Sequence, residues 1–347
     1  MRRRAFLRAM AAAVPGAGRA VAPGAWLAAS TAPGAGAVIN SVTGPVAADA
    51  LGVTLPHEHV LVDFIGADRV SPARYDRDAA FATALPHLQR IHGRGCRTLV
   101  ECTPAYIGRD VVLLERLSRA SGLHILTNTG YYGAAGDKFL PPHAFTESAE
   151  QLASRWIREA REGIDGTSVK PAFMKIGVDA GPLSAVDRTL VRAAAATHAA
   201  TGLSICSHTG DGVAARAQMA VLTRAATPPG AFIWVHAQNE TDGAVHVEIA
   251  RQGAWVSFDG VSPKSLERHV ALVVSMRAAG LLDRVLVSQD AGWYHVGEPG
   301  GGTYRPHDLL FTAFLPALGT AGLTGAEIRQ LTVDNPRRAL TPQAVPD

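Results

Sequence analysis

From Val53 onward, short apolar runs alternate with longer amphipathic segments. The runs are GVTLPHEHVLV, CRTLVECT, LHILTNTGYY, AFMKIGVD, LSICSHT, AFIWVHAQ, AWVSFDG and RVLVSQDAGWY, and they read as strands. Between them, Asp110 to Ser121, Ser148 to Gly163, Ala185 to Thr201, Gly212 to Ala226, Asp242 to Gln252 and Ser265 to Ala279 are helix-like. Gly122, Gly163, Gly202, Gly253 and Gly280 close these segments, as helix C-termini prefer. Eight strands separated by helices imply parallel pairing, which an open doubly wound sheet and a closed barrel both satisfy. The count of eight, the length of the core and the lack of a G-x-G-x-x-G turn after the first run favour the barrel. The expected fold is α/β, a single (β/α)8 TIM barrel.

The 347 residues allow one large domain, and no stretch approaches an unbroken transmembrane span. Ahead of the barrel, Arg3 and Arg4 precede Phe6, Leu7 and Arg8, followed by an alanine-rich, weakly apolar region with small residues near Ala37. This resembles a twin-arginine export leader, a disordered Ala/Gly tail being the plainer alternative. The expected division is a signal segment at 1–37 and a barrel at 38–347, exported to the periplasm or beyond the cell. The leader holds five arginines and no acids, so removing it takes the formal charge from +3 to about −2. The remaining charges are interspersed without a Lys/Arg stripe, and no nucleic-acid partner is expected. Cys96, Cys102 and Cys206 are too few and too unpatterned for a disulfide framework or a Cys-rich zinc site, and read as buried thiols. The loop PGGGTYRP, residues 299–306, lacks a following GK[ST] and reads as a mobile lid rather than a phosphate loop.

The chemistry starts in TLPHEHVLVDF. In a strand, His57 and His59 share one face while Glu58 points the other way, a geometry suited to gripping a divalent metal. The helical motif H-E-x-x-H does not fit, because Val60 and Leu61 follow His59. Other polar residues fall at the carboxyl ends of later runs: Lys175 in the fourth, His208 in the fifth, His236 in the sixth and Asp290 in the eighth. In a parallel barrel those ends converge on one face. Singly, each has a plain reading as a rim histidine, a snorkelling lysine or a turn-capping aspartate. Together they form a costly set of buried polar groups unless a metal satisfies them. His87, His92, His124, His143, His198, His246 and His269 lie in helical or loop segments and keep the structural reading.

With YIGRDVVLLERLSRASGLHI, REGIDG, MKIGVD, AAATHAATGLSICSHTG, VHAQNETD, VSQDAG and VDNPRRA, the chain resembles the phosphotriesterase family of the amidohydrolase superfamily, lactonases included, from about Val38 to its end. The resemblance implies two divalent metals, usually zinc, with cobalt, manganese or iron also suited to the shell. It places His57, His59 and Asp290 on the more buried ion and His208 and His236 on the more exposed one, with carboxylated Lys175 and a hydroxide bridging both. Asp290 would accept the nucleophile's proton. Tyr132 would donate to the developing oxyanion, unless Tyr131 and Tyr132 only wall the pocket. Two departures bear on substrate: Asn239 stands where true phosphotriesterases carry an acid, and Gly260 where they carry a histidine. The expected activity is hydrolysis of a lactone or other ester, with phosphotriesters as a side reaction. One alternative is phosphoesterase action on an exported organophosphate metabolite; another is a non-catalytic periplasmic metal-binding protein. Lys138, Trp293, Tyr294, His295, Arg305 and His307 are expected at the mouth. Pairing into a homodimer stays open.

Overall fold

The computed structural model describes residues 36–343, so nearly all of the leader expected at 1–37 lies outside it. The barrel strands are β1 (Val53–Glu58), β2 (Cys96–Glu101), β3 (His124–Leu126, resuming as Asn128–Thr129), β4 (Phe173–Val178), β5 (Ser204–Thr209), β6 (Phe232–Val235), β7 (Trp255–Phe258) and β8 (Val285–Val287). Each pairs in parallel with the next. The break at Thr127 lets the first part of β3 pair with β2 and the second with β4. β1 and the end of β8 are joined by the His57 N–H donating to Ser288 Oγ (3.1 Å) and the Asp290 N–H donating to the His57 carbonyl (3.2 Å), closing the ring.

The helices between strands are α1 (Arg77–Gly93), α2 (Val111–Ser121), α3 (Ala149–Glu162), α4 (Ala185–Thr201), α5 (Gly212–Arg224), α6 (Gly243–Arg251) and α7 (Leu266–Ala278). The starts of α2 to α6 are set by short polar side chains that accept otherwise orphaned backbone N–H groups: Asp110 before α2, Ser148 before α3, Ser184 before α4, Asp211 before α5 and Asp242 before α6. Ser148 with Gln151, and Ser184 with Asp187, complete reciprocal capping boxes. α1, which the sequence reading did not single out, carries Pro86 in its interior. No helix among the described residues is long and apolar enough to cross a membrane.

Strand alternation sorts the apolar residues into two layers. Leu99, Ile125, Met174, Ile176, Ile205, Trp234 and Phe258 join helix residues such as Leu88, Leu117, Trp156 and Leu190 in the main core. Val100, Cys102, Leu126, Phe173, Cys206, Ile233, Val235 and Leu286 form a second cluster, and Lys175 and His208 fall on the same strand faces as Phe173 and Cys206. This cluster also takes in Ile39, from the hairpin of Val38–Ser41 and Gly44–Ala47, and Ala339 and Leu340, from the helix Asn335–Leu340. Both pack at the end of the barrel where the strands begin: the Val42 N–H donates to the Ile125 carbonyl, and Ser204 Oγ, at the start of β5, to the Ala339 carbonyl. The chemistry-bearing residues occupy the opposite end.

Candidate metal centre

β1 delivers His57 and His59 to one side, while Glu58 turns outward and accepts from Ser288 Oγ (2.7 Å) and the Ala291 N–H (2.8 Å). One ligand atom each from His57, His59 and Asp290 lie within 4.8 Å of one another. His59 Nε2 is 3.1 Å and His57 Nε2 3.7 Å from Asp290 Oδ1, an atom that is buried and without a hydrogen-bond partner. His236 packs its ring on His57 with centroids 4.9 Å apart, and His208 meets His236 edge-on at 4.5 Å. Lys175 sits in the middle of β4 rather than at its end, with Nζ 5.3 Å from the Tyr132 ring centre. All six residues therefore gather at the top of one barrel.

Two of them hold strained backbone. His236 and Asp290 adopt φ of 63° and 51°, and Trp293 follows at 79°. A left-handed conformation in such residues persists only where the surroundings enforce it, commonly at functional sites. The turn after Asp290 also needs Gly292, since a Cβ there would fall 1.8 Å from the His59 carbonyl oxygen.

Two partners that the sequence reading missed fix the imidazoles. Asp259, just beyond β7, accepts from His57 Nδ1 (3.2 Å) and His236 Nδ1 (2.6 Å), and also from the His236 N–H and Gln238 Nε2. Burial pushes the Asp259 carboxyl up, and His236 and His57 more than reverse this, holding it far below the usual carboxylate range. Thr103 Oγ donates to Glu101 Oε1 (2.5 Å), so at 2.8 Å its oxygen accepts from His59 Nδ1. A signal existed for the aspartate: it follows the run AWVSF at the same strand end as the other polar residues.

The electrostatics then define what the site can hold. Burial lowers the His57 pKa to about 4 and lowers that of His59, so both rings are neutral at pH 7. With their single protons on Nδ1, both Nε2 atoms turn lone pairs toward the Asp290 carboxylate. Burial pushes the Asp290 carboxyl up, yet its pKa is lowered overall and it stays ionised, with the positive charge of His236 among the causes. Three electron-pair donors with no hydrogen between them repel one another unless a cation lies among them, and imidazole nitrogen with carboxylate oxygen is a donor set that zinc accepts. Burial also lowers the pKa of Lys175, favouring its neutral amine. Tyr132 Oη lies 3.0 Å from His208 Nδ1.

The expected mouth is only partly as the sequence suggested. Phe64, Phe139 and Trp293 form an aromatic wall, with Trp293 edge-on to His59 at 4.9 Å. His307 and Tyr294 are buried instead, His307 Nε2 lying 3.0 Å from the His59 carbonyl. Lys138 Nζ donates to the Phe64 carbonyl (2.6 Å), and Arg305 to the carbonyls of Asp290 (2.7 Å) and Gln289 (3.1 Å). Far from swinging free at both ends, the Gly-rich 299–306 loop is fastened at Arg305 by paired backbone bonds to Gly292. Of the histidines read as structural, His198, His246 and His269 lie within bonding distance of backbone carbonyls, whereas His124 starts β3.

Residues 37–340 match the model of the phosphotriesterase family. The phosphotriesterase homology protein of Escherichia coli (strain K12) is 30% identical over 293 residues, spanning 83% of this chain and 97% of the relative. An aryldialkylphosphatase of Saccharolobus solfataricus is 25% identical over 300 residues, covering 83% of this chain and 94% of its own length. Among solved structures, a mutant PTE-like lactonase of Deinococcus radiodurans superposes with a TM-score of 0.78 at 29% identity, covering 87% of this chain and 99% of the other.

Proposed function

The chain belongs to the phosphotriesterase family, and from that premise we propose that it is a metal-dependent hydrolase that uses two divalent cations to cleave a lactone or other ester. The observation carrying this reading is Asp290 Oδ1: buried, unpartnered and faced by two proton-free imidazole nitrogens. His57, His59 and Asp290 would hold one cation, and His208 and His236 the other. Lys175, carboxylated by carbon dioxide on its neutral amine, would serve both.

When bound, the cations acidify a water and polarise the substrate oxygen. The protein's own groups do the rest. Asp290, ionised and central, accepts the proton of the attacking water. When His208 Nδ1–H donates to Tyr132 Oη, the phenol keeps its own hydrogen for the oxygen that gains charge. Phe64, Phe139 and Trp293 shield that step from bulk water. Asn239 and Gly260 supply no acid–imidazole pair to carry a proton outward, which supports a lactone or ester over a phosphotriester. The phosphoesterase alternative is weakened because Lys138 and Arg305 are engaged on backbone carbonyls. An exported location, from the paired arginines at positions 3 and 4, belongs to the same proposal, and fusing residues 1–37 to an export reporter tests it.

Metal-replete protein should turn over members of a panel of lactones and aryl esters, and Lys175→Ala should lose both a metal equivalent and turnover. Inertness across the panel would refute the reading. Metal retained in full by Lys175→Ala would favour a carrier.

A further inference from the structure

We propose that Asp259 is a positioning residue shared by the two halves of the metal centre, so that a change at this one carboxylate weakens both cation sites together. The inference rests on the two-cation reading above. One imidazole from each half, His57 from the first and His236 from the second, meets the same buried carboxylate: His57 Nδ1 on Oδ2 at 3.2 Å and His236 Nδ1 on Oδ1 at 2.6 Å. The other orienting contacts serve one half each, Thr103 on His59 and Tyr132 on His208.

Asp259 is itself braced. The Gln238 side chain brackets it, Nε2 donating to Oδ1 (3.3 Å) and Oε1 accepting the Asp259 N–H (3.2 Å), while Arg268 donates to the Gln238 carbonyl. This bracket occupies the space beside residue 260: a Cβ on Gly260 would lie 2.6 Å from Gln238 Nε2. The glycine therefore leaves room for the amide that steadies Asp259. His57, His236 and Asp259 also satisfy the spacing of a metal group by themselves. The carboxylate is however surrounded by donors, including the His236 N–H at 3.2 Å from both oxygens, which leaves a cation facing hydrogens there.

A carboxylate that orients one ligand commonly controls metal affinity 10–100-fold. Here one substitution reaches both ions. Chelator-stripped protein titrated with cobalt(II) is expected to take up two equivalents in the wild type. In Asp259→Asn both dissociation constants should rise about 10–100-fold and by similar factors. Thr103→Val should raise only one. Gln238→Leu, which keeps the carboxylate but removes its bracket, should raise both by a smaller common factor, and it serves if Asp259→Asn does not fold. Nitrogen-15 spectra of the metal-free protein labelled at histidine should show a protonated Nδ1 at both His57 and His236, disturbed at both rings in either Asp259→Asn or Gln238→Leu. Two ions bound by the wild type, with one or both constants unmoved in Asp259→Asn, would overturn this proposal alone. So would an unprotonated Nδ1 at either ring, or a third equivalent that Asp259→Asn removes. A wild type that binds no cobalt would overturn the two-cation reading and the coupling with it.

Discussion

The two halves of the centre are assembled to different degrees. His57, His59 and Asp290 stand within ligand distance of one another as the chain folds, each imidazole turned by a fixed acceptor. In the other half, His208 and His236 stack edge to face, and Lys175, an amine that binds no cation while protonated, faces an aromatic ring. In the proposed centre the first half has its three protein ligands already gathered, whereas His208 and His236 rely more heavily on Lys175, which would serve both cations only after a covalent change. The difference teaches that closure of the barrel between β1 and β8 gathers the first half directly, whereas the shared lysine depends on what the environment supplies.

The sharpest way to break this comparison is Asp290→Asn. Removing the ionised group should empty the first half and, with the proton acceptor gone, lower kcat about 10²–10⁴-fold. Metal analysis beside kinetics checks it, and an unchanged metal content would show the first half to be less self-sufficient than its geometry implies. Tyr132→Phe tests the second half: measured at saturating metal, where both ions stay bound even if His208 is less well held, kcat should fall about 10²–10³-fold, as for a lost oxyanion donor. A purely structural phenol would instead change thermal stability and leave kcat alone.

Protons sharpen the contrast next. His57, near pKa 4, and His59, lowered by burial, are neutral in the metal-free protein, so an ion entering the first half displaces no proton from them at neutrality. For His236, burial lowers the pKa, but the Asp259 charge and hydrogen bond more than reverse this and raise it above the ordinary 6.5. An ion entering the second half must displace that proton. Second-half affinity should thus fall about tenfold per pH unit below that raised pKa, while protonation of His57 weakens the first half only near pH 4. Proton release during metal titration in weak buffer measures the difference, and equal release at both steps would erase it. The smallest effect is expected outside both halves. Lys138→Ala removes an exposed donor to the Phe64 carbonyl and should change stability by less than about 0.5 kcal/mol, read from the denaturant midpoint.

Much of the fold was legible because the barrel rewards alternation. The runs located the strands, and the glycines marked where α2 and α4 end, at Gly122 and Gly202 in left-handed backbone. Glu58 pointing away from its neighbours followed from the strand repeat alone. Asp259 and Thr103 were harder, since Asp-Gly after a strand reads equally well as a turn and a threonine carries no periodic signal. The burial of His307 and Tyr294 was hidden for another reason. It depends on the chain folding back so that Gly292 pairs with Arg305, a long-range choice that no local pattern announces.

The hairpin at Val38–Ala47 and the helix Asn335–Leu340 both plug the barrel at the end remote from the centre. Among the described residues, the backbone therefore enters and leaves on the blind side. A carrier or solid support attached to the exposed face of either of these two segments would leave the working aperture pointing outward, so immobilised molecules should keep the substrate access of free ones.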